Sequence, residues 1–390
     1  MKLFRGRAFS YILAIYLIYT IIPVFSVYFL GGFAGAAMLL CLFICGLITR
    51  PKAICKKPEN KVFVFGWCLV FLFSILIHSA IPGVRLLMSF VFCCFYLFLN
   101  KDVQQEAFAK FAWILSLLVF LSAVEFILYI TTGRGVILSS VTRTTDFRET
   151  NFNQFIFNII RTDMFIPRFQ SFFIEPGTLG TTCAFMLFAT WKIKSMKFPF
   201  FIFLICGMLS MSLAFYVYLL IFLITNVKLS GKSLVVSSII VIIFMNSFGE
   251  NFETKIYDRI NDVENVEELD NRSSESMERA FGEAMRSGKL ITGIGIGETP
   301  ESLSYDGGNA GAKKWTYEYG IISLVVVFWI YNLVYYRRCG NKLKYGDWVF
   351  LFIYWITFYK SVPFLVPSLF AVYSIMPELN KTNKSSLWKK

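Results

Sequence analysis

Apolar runs of about 20 residues recur along almost the whole chain. That length carries a helix across a hydrocarbon core of about 30 Å. The first block, Phe9 to about Ile48, is twice one span and turns at Gly31-Gly32. A span from Val62 to about Ile81, a tight Pro82-Gly83 turn and a shorter span ending near Leu99 follow. Lys101 to Lys110 reads as a polar connector before a fifth span that reaches Ile130. A sixth starts after Pro176 and ends at Lys192. Residues 198–226 fit one long helix or two short ones, 234–248 form another span, and 321–336 the next. The last block, Trp348 to Met376, is interrupted by Lys360-Ser361 and Pro363 and reads as two short spans. Residues 131–175 and 249–317 are long polar loops. The runs are continuously apolar rather than alternating, which excludes a β-barrel. In lipid, such a run satisfies its backbone only as a helix. The pattern predicts an all-α polytopic membrane protein, with residues 1–390 as a single transmembrane domain.

Composition agrees. The 390 residues are 56% hydrophobic and 16% charged, with a mean hydropathy of +0.62, too apolar for a soluble domain of this length. The formal charge of +13 does not point to nucleic acid, because the positions of the charges account for it. Lysine and arginine in short connectors mark the cytoplasmic side. With the N-terminus inside and 198–226 taken as two helices, the inner connectors hold 23 of the 38 lysines and arginines, and the two long loops hold 13. A single helix at 198–226 would put Arg337, Arg338, Lys342 and Lys344 outside. The expectation is therefore about twelve transmembrane helices, both termini cytoplasmic and both long loops outside. The basic N-terminus leads into an apolar run with no small-residue cleavage site, which reads as a retained first span. The nine cysteines avoid the long loops, show no paired metal spacing and read as small apolar filler. His78, the only histidine, reads as an interface residue near the outer end of its span.

Loops of such length are functional or disordered. The first mixes Arg134, Arg143, Arg148, Arg161 and Arg168 with phenylalanines, a composition that suits a folded segment on the membrane face. Arginine binds phosphate in a bidentate way, so a cluster at the boundary could hold a lipid-linked phosphate or diphosphate. The competing reading pairs these arginines with Asp146, Glu149, Asp163 and the acidic second loop. Arg168 stands at a span entry, where charged residues tend to be functional. Glu175-Pro176-Gly177-Thr178 reads as a helix start, with the carboxylate at the positive end of the dipole. Glu175 either pairs with an arginine, or orients Arg168 or binds a hydroxyl. Glu125, within a span, either lines a site from the membrane side or bonds a neighbouring helix. In the second loop, Gly293-Ile294-Gly295-Ile296-Gly297 lacks dinucleotide spacing and reads as a flexible turn. Gly231-Lys232-Ser233 lacks the upstream glycine of a phosphate loop, and no DxD motif occurs. An enzyme built this way would use no nucleotide sugar, no metal and no cofactor.

The chain resembles the bacterial O-antigen polymerases (Wzy type) and, more distantly, the O-antigen ligases. The layout of about twelve spans with two periplasmic loops carries the resemblance, together with three short anchors. Arg168-Phe-Gln-Ser-Phe-Phe-Ile-Glu175-Pro176 is similar to the family's loop-to-helix pattern. Arg279 followed by Gly293-Ile-Gly295 is similar to its second-loop arginine and Gly-x-Gly turn. Glu318-Tyr-Gly320 looks like its Glu-x-Gly helix entry. Ligases carry a histidine shortly before that entry, whereas Asp306 to Lys314 contains none, which favours polymerase and leaves the general base unassigned. The resemblance implies a glycosyltransferase in the bacterial inner membrane. Its substrate would be an undecaprenyl-diphosphate-linked oligosaccharide in the lipid bilayer. A chain-length regulator and a flippase would be further partners, and nucleic acid would not. Arg168 and Arg279 become the catalytic candidates, with Arg161, Glu175, Arg272 and Glu318 binding substrate. A flippase or transporter is the rival of another class, but intramembrane charge is sparse here and polarity sits in the outer loops.

Overall fold

A computed structural model describes residues 2–21, 33–49, 58–78, 84–145, 148–162, 168–173, 175–226, 275–295, 311–360, 362 and 366–381. Among them run α1 (Lys2–Ile21), α2 (Phe33–Thr49), α3 (Pro58–His78), α4 (Val84–Phe98), α5 (Lys101–Thr132), α6 (Pro176–Thr190), α7 (Lys197–Leu209), α8 (Leu213–Asn226), α9 (Glu275–Arg286), α10 (Gly311–Arg338), α11 (Tyr345–Lys360) and α12 (Pro367–Lys381). Three of them, α3, α5 and α10, are long and apolar enough to cross a membrane by length and composition. Their outer surfaces expose Phe65, Leu72, Leu76, Leu117, Leu128, Val325 and Trp329, an apolar coat suited to lipid rather than water. The chain is thus a helical, membrane-embedded protein. The expected span at 234–248 lies outside the described residues.

The helix α5 starts earlier than hydropathy suggests. Lys101 to Lys110 is helical, because Gln104, Ala107, Phe108, Phe111 and Ala112 are buried at helical spacing. Asn100 caps its start through the Asp102 N–H, and Gly133 (φ 66) ends it. Residues 198–226 are two helices, broken at Ser210-Met211-Ser212. Between them and α12 lies α6, buried continuously from Leu179 to Thr190 and so apolar on every side.

A buried polar network ties the basic ends of the helices together. Arg338, at the end of α10, donates to Gln104 Oε1 (3.2 Å) and to the Ser374 carbonyl of α12 (3.0 Å). Asn60 of α3 donates to the last turn of α4 at Leu97 (3.0 Å). Lys101 pairs with Glu378 of α12. Asn380 Nδ2 donates to Asp347 of α11 (2.7 Å), while Lys192, just past α6, reaches Asn380 Oδ1 (3.4 Å). Burial lowers the proton affinity of that Lys192 ammonium, Asp347 raises it and Lys344 lowers it again. The starts of α3, α5 and α11 and the ends of α4, α6, α10 and α12 therefore meet at one end. The last turn of α5, the first turn of α6 and the first turn of α10 lie at the other. The first loop and the described part of the second lie at that second end.

Among its described residues from 133 to 175 the first loop is not helical, which corrects the all-α expectation. It holds an antiparallel sheet of β1 (Ser139–Thr145), β2 (Arg148–Gln154) and β3 (Ile159–Arg161), in that order. Ser139 pairs with Gln154 and Phe152 with Arg161. Threonine, serine and asparagine recur through these strands, and they suit a pleated, solvated surface better than a membrane helix. Hydroxyl-to-amide bonds such as Thr142 Oγ1 to Asn151 Oδ1 (2.7 Å) join the strands.

Candidate functional site

The segment between the sheet and α6 lies against the turn that joins α7 to α8. Arg168 Nη2 donates to the Met211 carbonyl (2.6 Å) and, more weakly, to that of Ser210 (3.4 Å). These carbonyls follow the C-terminus of α7, where the helix dipole is negative and a cation is favoured. The backbone is strained on both sides of this contact. Ser171 (φ 54) and Met211 (φ 48) occupy the left-handed region that non-glycine residues avoid. Gln170 (2% exposed) and Ser171 (0%) are buried, and Gln170 Nε2 and Ser171 Oγ have no hydrogen-bond partner. A buried donor left unmade costs about 1–3 kcal/mol. Strain and unmet polarity thus coincide at one place.

That place lies alongside α6. Gly180, the fifth residue of α6, touches the same turn: a Cβ there would come within 2.6 Å of Ser212 Cβ and 3.0 Å of Ser210 Oγ. At 1.5 Å per residue the turn lies roughly 6 Å below the start of α6. The 13 residues of α7 reach only about 20 Å from the basic end, short of a hydrocarbon core of about 30 Å. Arg168 therefore meets the α7–α8 turn about one helical turn deeper than the start of α6. Glu175 is the N-cap of α6, in extended conformation, with its side chain making no capping bond. Its carboxylate stands at the positive end of α6, as the sequence suggests.

Glu125 holds the first loop against α5. Its carboxylate accepts the backbone N–H groups of Ile156 (3.1 Å) and Phe157 (2.8 Å) and the Asn158 amide (3.0 Å). Asn158 in turn exchanges two 2.6 Å bonds with Ser122. Neither sequence reading of Glu125 describes this: it anchors a turn of the first loop to α5. From there the Ile159 N–H donates to the Ser171 carbonyl (2.8 Å), so the anchor extends to the Arg168 segment. Arg161, half-buried at the end of β3, is carried by the same sheet. Glu125→Gln presents an NH2 to backbone donors that need an acceptor, at a cost of about 1–3 kcal/mol. Amide hydrogen exchange of residues 155–159 is expected to rise sharply in this variant, and unchanged protection would count against the anchor.

The second-loop candidates form their own group. Backbone bonds join the Gly293–Gly295 turn to the entry of α10: Ile294 N–H to the Tyr317 carbonyl (2.7 Å) and Gly295 N–H to that of Glu318 (3.2 Å). The two glycine-bearing anchors, distant in sequence, are thus one junction. Met277, Ala284, Leu290 and Tyr317 pack beneath it, and Lys313 pairs with Glu278 across it. Glu318 is mostly buried, with Lys314 at 3.8 Å. Arg279 lies on the exposed face of α9 beside Glu278, Glu283 and Arg286, a setting of mixed charge rather than an open cationic wall. Arg272 and Gly297 lie outside the described residues. Sequence reasoning missed Gln170, Ser171 and the Ser210–Ser212 turn; the one local signal was the short polar break in the apolar 198–226 block. The architecture defines a membrane-embedded helical protein with a buried polar cluster at its loop end. No known protein-family model matches the chain, and no curated protein matches it at a significant level.

Proposed function

We propose that the chain is a membrane glycosyltransferase, an O-antigen polymerase that joins undecaprenyl-diphosphate-linked repeat units at the periplasmic face of the inner membrane. In this reading about twelve spans cross that membrane, with both termini cytoplasmic and the loop end periplasmic. The observation that supports it most is the guanidinium of Arg168 at the α7–α8 turn, beside buried Gln170 Nε2 and Ser171 Oγ that lack hydrogen-bond partners. A lipid-linked diphosphate keeps its prenyl chain in the bilayer and its phosphates near the surface. A guanidinium where the first loop meets the membrane helices suits that group.

The chemistry follows from charge. A hydroxyl oxygen of the acceptor sugar bonds to the anomeric carbon of the donor. The bond from that carbon to the phosphate oxygen breaks, and the lipid diphosphate departs with the electron pair. The hydroxyl proton passes to water or to the released diphosphate. Preorganised donors facing the developing charge are the largest source of acceleration in such a step. Arg168 supplies that donation, and Glu175 keeps the guanidinium oriented.

Purified full-length protein in liposomes, given undecaprenyl-diphosphate-linked repeat units, is expected to yield glycans of two or more repeats with release of lipid diphosphate. Translocation without new glycosidic bonds would indicate a flippase, and transfer only onto a lipid A core would indicate a ligase. Either result overturns the polymerase reading.

A further inference from the structure

The first-loop sheet has an apolar base. Val136, Ile137 and Leu138 lead into β1, Ile156 stands at the turn between β2 and β3, and all four are exposed. By contrast, β1 itself is mostly serine and threonine. Large aliphatic side chains grouped and held outward are what a surface in water avoids.

This base lies beside the last turns of α5 rather than above them. Gly133 (φ 66) ends the helix and the chain turns back: a Cβ at Gly135 would come within 2.5 Å of Phe155 and 3.4 Å of Tyr129. The rings of Tyr129 and Phe155 are 4.9 Å apart. Lower down, Glu125 holds the Ile156–Asn158 turn. Phe111 to Ile130 rises about 30 Å, the depth of a hydrocarbon core. With that stretch filling the core, Glu125 lies roughly 8 Å inside its edge.

The lipid-facing coat of α5 reaches the same level. Val124, Ile127, Leu128 and Ile130 are exposed, and Glu125 stands half-buried at the flank of this coat. Thr131 and Thr132 return their hydroxyls to the Ile127 and Leu128 carbonyls (2.8 and 2.6 Å), so these exposed groups make no demand on water. Backbone enters an apolar layer only with its polar groups satisfied. The N–H groups of Leu138 and Phe155 donate to the Gln154 and Asn158 carbonyls, and those of Ile156 and Phe157 to Glu125. Arg134, exposed in the bend above, is placed to carry its guanidinium to lipid phosphates while its stem stays in apolar surroundings.

We propose that Val136, Ile137, Leu138 and Ile156 insert among lipid acyl chains of the leaflet at the loop end, and that Glu125 permits this by capping the backbone of the turn. The partner is the bilayer, because the patch continues the lipid coat of α5. The depth matches that of interfacial segments, about 5–10 Å. The proposal does not rest on the polymerase reading.

Full-length protein carrying p-benzoylphenylalanine at one position would be irradiated in nanodiscs of phosphatidylethanolamine and phosphatidylglycerol, and its adducts identified by mass spectrometry. Replacement of Ile137 or Ile156 is expected to give lipid adducts within about threefold of replacement of Leu117, a lipid-facing position of α5. Replacement of Thr142, about 13 Å farther along β1 than Leu138, should give about tenfold fewer or less. Glu125→Gln should cut the Ile156 adducts by about threefold or more and leave those at Leu117 unchanged, which also reports that the helices stay folded. An absence of lipid adducts at Ile137 and Ile156 while Leu117 labels lipid would overturn the proposal. So would adducts that join two copies of the chain, or that join the base to another segment of it. Ile156 adducts undiminished by Glu125→Gln would overturn the role given to Glu125.

Discussion

Arg168→Ala is expected to abolish long glycan chains while the protein remains in the membrane. Loss of one donor to developing negative charge lowers turnover by roughly 10²–10³. The same guanidinium holds the Met211 carbonyl, so part of any loss could come through the fold. Arg168→Lys separates the two contributions. An ammonium can still bond the Met211 carbonyl and stay at the negative end of α7, so thermal stability should return close to wild type. It lacks the planar fork that matches a phosphate, so turnover should remain well below wild type. The paired readout is the glycan ladder against the melting temperature of the purified protein. Ladders of normal length from a well-expressed Arg168→Ala protein would sink the assignment. Full recovery of the ladder in Arg168→Lys would reduce Arg168 to a brace for the turn.

The membrane class was legible because it depends on the length and continuity of apolar runs, which are local properties. The boundary at Glu175-Pro176 was legible for the same reason: α6 starts at Pro176, with Glu175 as its cap. Errors arose where distant partners decide. Lys101 to Lys110 looked like a connector because Gln104 and Lys110 are polar. In the fold Gln104 bonds Arg338 and Lys110 bonds Ser10, and both sit in a continuous helix. Glu125 looked like a membrane-buried charge with a cavity or helix partner, but its partners are backbone donors some 31 residues on. The strands of the first loop were passed over because a polar, threonine-rich segment gives no apolar alternation to read. The partner of Arg168 is a turn more than 40 residues away, and nothing near Ser210 marks it as an acceptor for a guanidinium. By contrast, Gly293–Gly295 and Glu318–Gly320 were each visible as local anchors. Only the fold makes them one object.

That junction carries the second large prediction. Gly320 interrupts α10 with φ 81 and ψ 164, a conformation essentially restricted to glycine. A Cβ at Gly320 would lie 2.6 Å from the backbone nitrogen of Gly293 and closer still to the Thr292 carbonyl carbon. A Cβ at Gly293 (φ 87) would lie 2.6 Å from the nitrogen of Gly320. These atoms belong to backbone, so no rotamer change relieves either clash. Gly320→Ala therefore adds backbone strain of about 1–3 kcal/mol to the overlap itself. It also forces apart the pair of backbone bonds beside it, each contributing about 1 kcal/mol. Opening the junction is the cheaper outcome, because Ile321 to Arg338 keeps its own packing against α3. The expected result is a protein that inserts normally but in which residues 275–295 exchange amide hydrogens rapidly and become sensitive to protease. Gly293→Ala should do the same. The double variant should cost little more than either alone, since both substitutions break one contact and their effects do not add. Wild-type protection of residues 275–295 in Gly320→Ala would refute the junction, and full additivity would mean that the two glycines act separately. In the polymerase reading, release of this segment also carries Arg279 away from the entry of α10. Glycan chains should then shorten in step with the loss of protection, even though Arg168 and its seat on the α7–α8 turn are untouched.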